Sequence, residues 1–175
     1  MKIVILDPSN ITPVYSHYLA ESLEKKGCDV NLISSKFLYS EIDYDRTYTE
    51  YDHFYNLTNK IYGNQPKGFL KNYIKGFEHI FGMTKLANLL KNILPDVIHI
   101  QQSPIPLIDQ LFFKGLREIA PLVSTAHNTT PFHGDASMLQ RWGFDSMITK
   151  FDHVIVHTKY SQKKVELLEV PSDRI

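Results

Sequence analysis

The chain has 175 residues, 43% hydrophobic and 22% charged, with 19 basic and 19 acidic side chains that cancel. That length fits one domain with a sizeable core, and the balanced charge gives no bulk attraction toward nucleic acid, so none is expected as a partner. The single cysteine, Cys28, rules out a disulfide framework and any four-cysteine zinc site, and no apolar run makes a signal peptide or reaches the ~18 residues of a membrane span, which points to the cytoplasm.

In chain order the pattern alternates between strands and helices. Lys2–Leu6 is a short apolar run of the kind a central parallel strand shows. The loop Asp7–Pro13 follows, with two prolines, an Asn and a Thr. Val14, Tyr18, Leu19 and Leu23 then share one helical face, and Gly27 closes that helix before a second strand at Val30–Ile33. The span Phe37–Pro66 holds six of the ten tyrosines, and alternation around Tyr51, His53, Tyr55 and Leu57 predicts a third strand. The aromatic residues from Tyr39 to Tyr62 are suited either to stacking on the rings of a ligand in a cleft or to packing as an irregular sheet edge.

Phe69, Leu70, Tyr73, Ile74, Phe77, Ile80 and Phe81 fall on one arc and predict a helix over Gly68–Phe81. A break near Gly82 and a second helix over Met83–Leu94 are expected, with Pro95 as the stop. Strand four is Val97–Ile100, a helix runs from about Pro106 to Ala120, and strand five is Leu122–Thr125. A helix around Ser137–Lys150, a sixth strand at His153–Val156 and a last helix at Ser161–Leu168 complete the reading. Strands separated by helices give an α/β, doubly wound, Rossmann-like parallel sheet in a single domain over residues 1–175.

Two strands run abruptly into polar loops: Val97–Ile100 into Gln101-Gln102-Ser103-Pro104, and Leu122–Thr125 into Ala126-His127-Asn128-Thr129-Thr130. The C-terminal ends of parallel strands are where open α/β sheets place ligand sites, so His127 is the leading candidate. Asn128, Thr129 and Thr130 around it are short hydrogen-bonding side chains suited to polyols. Gln101 and Gln102 suit bidentate contacts to vicinal hydroxyls, with Ser103 on the same edge. His157 stands at the corresponding end of strand six, and His17 lies in the first helix beside Tyr15. His99, between Ile98 and Ile100, reads as a core histidine, whereas His53, His79 and His133 have no supporting neighbours. No histidine pair stands at i,i+4 on a helix face with a carboxylate, so no metal site is expected.

Several segments occur in an order that resembles a known family. They are Tyr15–Leu23 with Gly27-Cys28-Asp29-Val30; Pro95–Ile100; Pro121–Asn128 with Pro131; Phe151–Thr158 with Ser161; and Val170–Ile175. Together they resemble the N-terminal half of retaining nucleotide-sugar glycosyltransferases of the two-domain GT-B architecture, the group 1 or family 4-like enzymes. The resemblance implies hexosyl transfer with retention, without a metal ion or cofactor, from a nucleotide-sugar donor to a carbohydrate or lipid-linked acceptor. It places His127 against the donor sugar and its phosphate, as the catalytic-cleft residue. Ser9, Asn10, Thr12, Tyr15, Gln101, Gln102, Ser103, Asn128, Thr129 and His157 become donor- or acceptor-binding candidates.

The chain departs from that pattern in two ways. Many members carry a Gly-rich first loop, whereas Pro8-Ser9-Asn10-Ile11-Thr12-Pro13 has no glycine, so side chains of Ser9, Asn10 and Thr12 would have to supply the donors. The second departure is that the nucleotide-binding C-terminal domain implied by the resemblance is not in the sequence, so a second half in cis or in trans is expected, and this chain alone is expected to be inactive. The basic, aromatic helix Gly68–Phe81, with Lys67, Lys71 and Lys75, is either a sheet-covering helix or a peripheral contact with the inner face of a membrane. A non-catalytic carbohydrate-binding module and one subunit of a split enzyme stay open as alternatives. Another Rossmann-like nucleotide enzyme is disfavoured, since no Gly-x-Gly-x-x-Gly or P-loop follows strand one.

Overall fold

The opening apolar run forms the centre of a six-stranded sheet. In the computed structural model, which describes residues 1–39, 45–65, 68–127 and 143–175, the strands are β1 (Lys2–Asp7), β2 (Asp29–Ser35), β3 (Thr49–Phe54), β4 (Val97–Ile100), β5 (Leu122–Thr125) and β6 (His153–Ile155). Their order is β3-β2-β1-β4-β5-β6 and every pairing is parallel. The helices are α1 (Pro13–Glu24), α2 (Asn56–Tyr62), α3 (Phe69–Ile93), α4 (Pro106–Arg117), α5 (Phe144–Ile148) and α6 (Lys159–Glu166), with a 3-10 turn at Ser172–Arg174. This is the doubly wound, Rossmann-like architecture expected from the alternation.

Both faces of β1 are covered, which is why it reads as an unbroken apolar run. Ile3 and Ile5 pack with Ala20 of α1, Val30 and Leu32 on one face. Val4 and Leu6 point the other way, toward Met83, Leu86 and Leu90 of α3 and Phe113 of α4. Side chains such as Ile5 and Leu6, essentially without exposure, each contribute about 1.5–3 kcal/mol of hydrophobic stabilisation.

Three predicted elements need correction. The helix pair around Gly82 is one continuous helix, α3. Gly82 is there for close approach, because a Cβ at that position would sit 2.7 Å from the Phe54 ring. The third strand stops at Phe54, since Tyr55 takes φ 57°, and the unpredicted α2 starts at Asn56. The cap of α2 comes from far along the chain: the Glu78 carboxylate accepts from the backbone N–H of Leu57 at 2.7 Å and of Thr58 at 2.9 Å. The last helix begins at Lys159, two residues earlier than expected, because Thr158 accepts from the backbone N–H of Ser161 and sets its start. Leu94 ends α3 in the left-handed region just before Pro95. The predicted helix around Ser137–Lys150 is described only from residue 143 on, where α5 is found.

The face of α3 also differs from a simple sheet-covering helix. One face of its second half, with Met83, Leu86, Leu90 and Ile93, is buried, but Phe69, Leu70, Tyr73, Phe77 and Phe81 of the first half are exposed. Lys71 is turned back to the carbonyls of Gly63 and Gln65, and the Lys75 Nζ sits 4.4 Å from the centre of the Tyr55 ring. Among the described residues, no helix is long and apolar enough to cross a membrane.

Candidate functional site

Strand order reverses between β1 and β4, so the loops that follow them diverge and leave a crevice at their C-terminal ends. A cavity of about 430 Å³ fills that crevice. Ser9, Ile11 and Thr12 of the β1–α1 loop form one side, with Tyr15 from the first turn of α1. Gln101, Gln102, Ser103 and Pro104 form the other, and the end of β5 closes it at His127. Phe144, Met147 and Ile148, one face of α5, make an apolar floor. A second, shallower groove of about 800 Å³ runs along α1 past Val14, Tyr18 and Leu19, sharing Ile11, Thr12 and Tyr15 with the first.

The glycine-free β1–α1 loop is shaped by Asp7 and Asn10. Asn10 adopts φ 46°, a conformation that Asn tolerates better than most residues, and so turns where a glycine is commonly found. The buried Asp7 carboxylate accepts from the Asn10 backbone N–H at 3.0 Å and from Ser16 Oγ at 2.8 Å. Burial pushes the Asp7 carboxyl up, with the Ser16 and Asn10 hydrogen bonds opposing. Asn10 spends its side-chain amide on the Ser35 carbonyl at 2.7 Å and does not line the cavity; its place is in the loop, not at a ligand. Thr12 precedes α1 as its N-cap residue without making a side-chain cap.

His127, Gln101, His157 and Tyr15 come together at the cavity mouth. His127 Nε2 lies 2.7 Å from Gln101 Oε1, and His157 Nε2 lies 3.4 Å from His127 Nδ1. The Tyr15 ring meets the His127 ring edge-on with centres 4.7 Å apart. Partial burial lowers the His127 pKa, and the neighbouring His157 lowers it further, so the imidazole is neutral at pH 7. A neutral ring with Nε2–H donating to Gln101 Oε1 accepts at Nδ1, the atom His157 faces. The backbone of Gln101 is pinned by its N–H to the Leu6 carbonyl at 2.9 Å. Its side chain is only 3% exposed, and Nε2 has no partner among the described residues. A buried donor without a partner costs about 1–3 kcal/mol.

Of the other predicted residues, Ser9, Thr12, Gln102 and Ser103 are on the cavity walls, and Asn128 and Thr129 lie outside the described residues, as does His133. His99 is buried as expected, bonded to Thr125 Oγ1 at 2.8 Å. His17 is buried, with Nδ1 3.0 Å from Tyr48 Oη. Among the described residues of the tyrosine-rich span, none lines the cavity, and Tyr48 and Tyr55 are buried in packing instead. Sequence reading missed Phe144, Met147 and Ile148, although their i, i+3, i+4 spacing marks an apolar helix face. Among the described residues, no three His, Cys, Asp or Glu side chains are placed to hold a metal ion.

Solved structures with this fold include the UDP-GlcNAc 2-epimerase from Methanocaldococcus jannaschii, at TM-score 0.66 and 14% identity over 100% of this chain and 44% of that one. The lipopolysaccharide outer core galactosyltransferase WaaB matches at TM-score 0.57 and 13% identity, over 100% and 44% of the two chains. Acinetobacter baumannii MurG matches at TM-score 0.55 and 12% identity, over 91% and 42%. The chain thus spans less than half the length of these proteins, and its fold is that of the N-terminal half of the GT-B architecture. No curated protein matches it. Residues 13–175 match Glycosyltransferase Family 4, nearly the whole chain, and the chain belongs to that family.

Proposed function

We propose that this domain forms the acceptor-side wall of the cleft of a nucleotide-sugar glycosyltransferase that transfers a hexosyl group with retention and needs no metal ion or cofactor. The observation that carries the reading is the Gln101 amide at the switch point of the sheet, its oxygen held by a neutral His127 and its nitrogen buried without a partner among the described residues. Transfer breaks the bond between the anomeric carbon and the departing phosphate oxygen. Charge then grows on that oxygen and on an oxocarbenium-like ring, so preorganised neutral donors at the cavity wall stabilise the transition state. In this reading Gln101 Nε2 donates to the donor substrate. His127 holds Gln101 in that orientation and lies against the sugar, where a ligand displaces the long surface contact to His157. The apolar groove along α1 supports an acceptor with a lipid-linked or otherwise apolar part.

A second α/β half, in cis or in trans, would close the cleft and hold the nucleotide. The reaction would run in the cytoplasm, with the exposed aromatic half of α3 resting on the inner face of the membrane. Co-sedimentation with anionic vesicles, lost in Phe69→Ser/Phe77→Ser, checks that contact; equal recovery of both proteins in the pellet contradicts it.

The reading is tested by incubating the intact protein with a panel of UDP- and GDP-sugars and carbohydrate acceptors. Proton NMR then reads the new glycosidic bond and its anomeric configuration. A glycoside with the donor's configuration is expected. Binding without transfer would make the domain a carbohydrate-binding module, and epimerised nucleotide sugar would put it with the epimerases that share its fold.

A further inference from the structure

A second polar cluster lies directly beneath the cleft. His79, in the middle of α3, is 0% exposed. Its Nδ1 is 2.9 Å from Tyr55 Oη, and its Nε2 contacts Asp109 Oδ1. The other Asp109 oxygen accepts from Ser103 Oγ at 2.6 Å and from the backbone N–H of Ile105 at 3.1 Å. Four residues from four separate segments therefore make one chain, Tyr55–His79–Asp109–Ser103. Tyr55, His79 and Asp109 are buried and Ser103 is on the wall of the cavity.

The protons in this chain have a definite direction. Asp109 stands in the first turn of α4, with its second oxygen taken by Ser103 and the Ile105 N–H. Its carboxylate oxygens accept, so His79 donates from Nε2, and as a neutral imidazole it accepts at Nδ1. Tyr55 supplies that proton. Burial, with the Asp109 and Glu78 charges, holds its phenol well above the ordinary range, so it keeps its O–H. A serine hydroxyl has one proton, and Ser103 directs its own inward to Asp109, so toward the cavity it offers only lone pairs.

We propose that His79, Tyr55 and Asp109 are positioning residues that fix Ser103 as a hydrogen-bond acceptor on the cleft wall, selecting at that point the donating hydroxyl of a sugar over the acceptor-only oxygen of a phosphate. The proposal rests on the reading of the cavity as a sugar site and adds to it a division of labour. Gln101 donates to the ligand, whereas Ser103 accepts from it.

The test is a calorimetric titration of the intact protein with UDP-glucose, UDP-N-acetylglucosamine and GDP-mannose, each beside its own nucleoside diphosphate. At least one nucleotide sugar should bind the wild type more tightly than its diphosphate. Tyr55→Phe removes the proton that His79 accepts, and Asp109→Asn replaces an acceptor by a donor and releases Ser103. Each should weaken that sugar by about three- to ten-fold, the worth of a hydrogen bond, and weaken the diphosphate much less. Unchanged sugar affinity in both variants overturns the positioning role alone, and equal losses for sugar and diphosphate make the chain merely structural. Failure of the wild type to bind any of the three sugars more tightly than the diphosphate overturns the sugar reading together with this proposal. Nitrogen-15 NMR of the His79 ring needs no variant. A protonated Nε2 with a bare Nδ1 is expected, and the opposite tautomer contradicts the donor direction.

Discussion

His127 Nε2 and Gln101 Oε1 lie 2.7 Å apart, joining the ends of two neighbouring strands across the mouth of the cavity. The bond fixes which way the Gln101 amide faces and leaves its nitrogen buried without a partner among the described residues. Gln101→Leu should therefore leave thermal stability equal to wild type or higher, since a desolvated donor is removed. The same change should weaken nucleotide-sugar binding by about three- to ten-fold. Paired thermal unfolding and titration check it; a loss of stability with intact binding runs against the account.

His127 should carry the acid limb of the pH profile. Its burial, and then His157, lower its pKa from 6.5, so transfer should be level near pH 7 and fall only as the pH drops below that ordinary value. His157→Ala removes the smaller of the two causes, and the His127 titration followed by NMR should move back toward 6.5 without reaching it. No movement would mean that the two rings are not coupled.

His99 predicts a pH dependence of stability. Burial first, and His127 second, hold its imidazole at about 4, down from 6.5. The folded state binds the proton more weakly than the unfolded chain. The stabilising contribution is therefore fully present above the unfolded value and is lost as pH falls from 6.5 toward 4, about 3 kcal/mol in all. Urea unfolding at pH 7 and pH 4.5 should show most of this difference in wild type and a smaller one in His99→Gln. An equal difference in both proteins contradicts the assignment.

Gly82→Ala should destabilise the domain although alanine is the better helix former. The new Cβ would lie 2.7 Å from the Phe54 ring, and overpacking of about 1–3 kcal/mol outweighs the ~1 kcal/mol gain in propensity. Denaturant unfolding reads the sign directly, and a stabilised variant would mean that Phe54 moves aside at little cost.

Much of the fold was legible because it is local. The runs Val97–Ile100 and Leu122–Thr125 are the strands expected, residue for residue, and Pro106 opens α4 as predicted. What escaped depends on distant partners. α2 is capped by Glu78 from another helix, and Gly82 looks like a helix break until Phe54 is placed against it. His127 and Gln101 were visible because each ends an apolar strand abruptly. Asn10 resembled a ligand donor, but Ser35 takes its amide, a pairing 25 residues away that no sequence window contains. His79 showed no neighbours in sequence because Tyr55 and Asp109 lie 24 and 30 residues from it.

The central claim is that His127 stabilises sugar transfer at the end of β5. The most direct measurement is the steady-state transfer rate of His127→Ala in the intact protein, with the donor that supports wild-type turnover. A fall of ~100-fold or more is predicted for loss of a preorganised group at the reacting centre. Turnover like that of the wild type would contradict it.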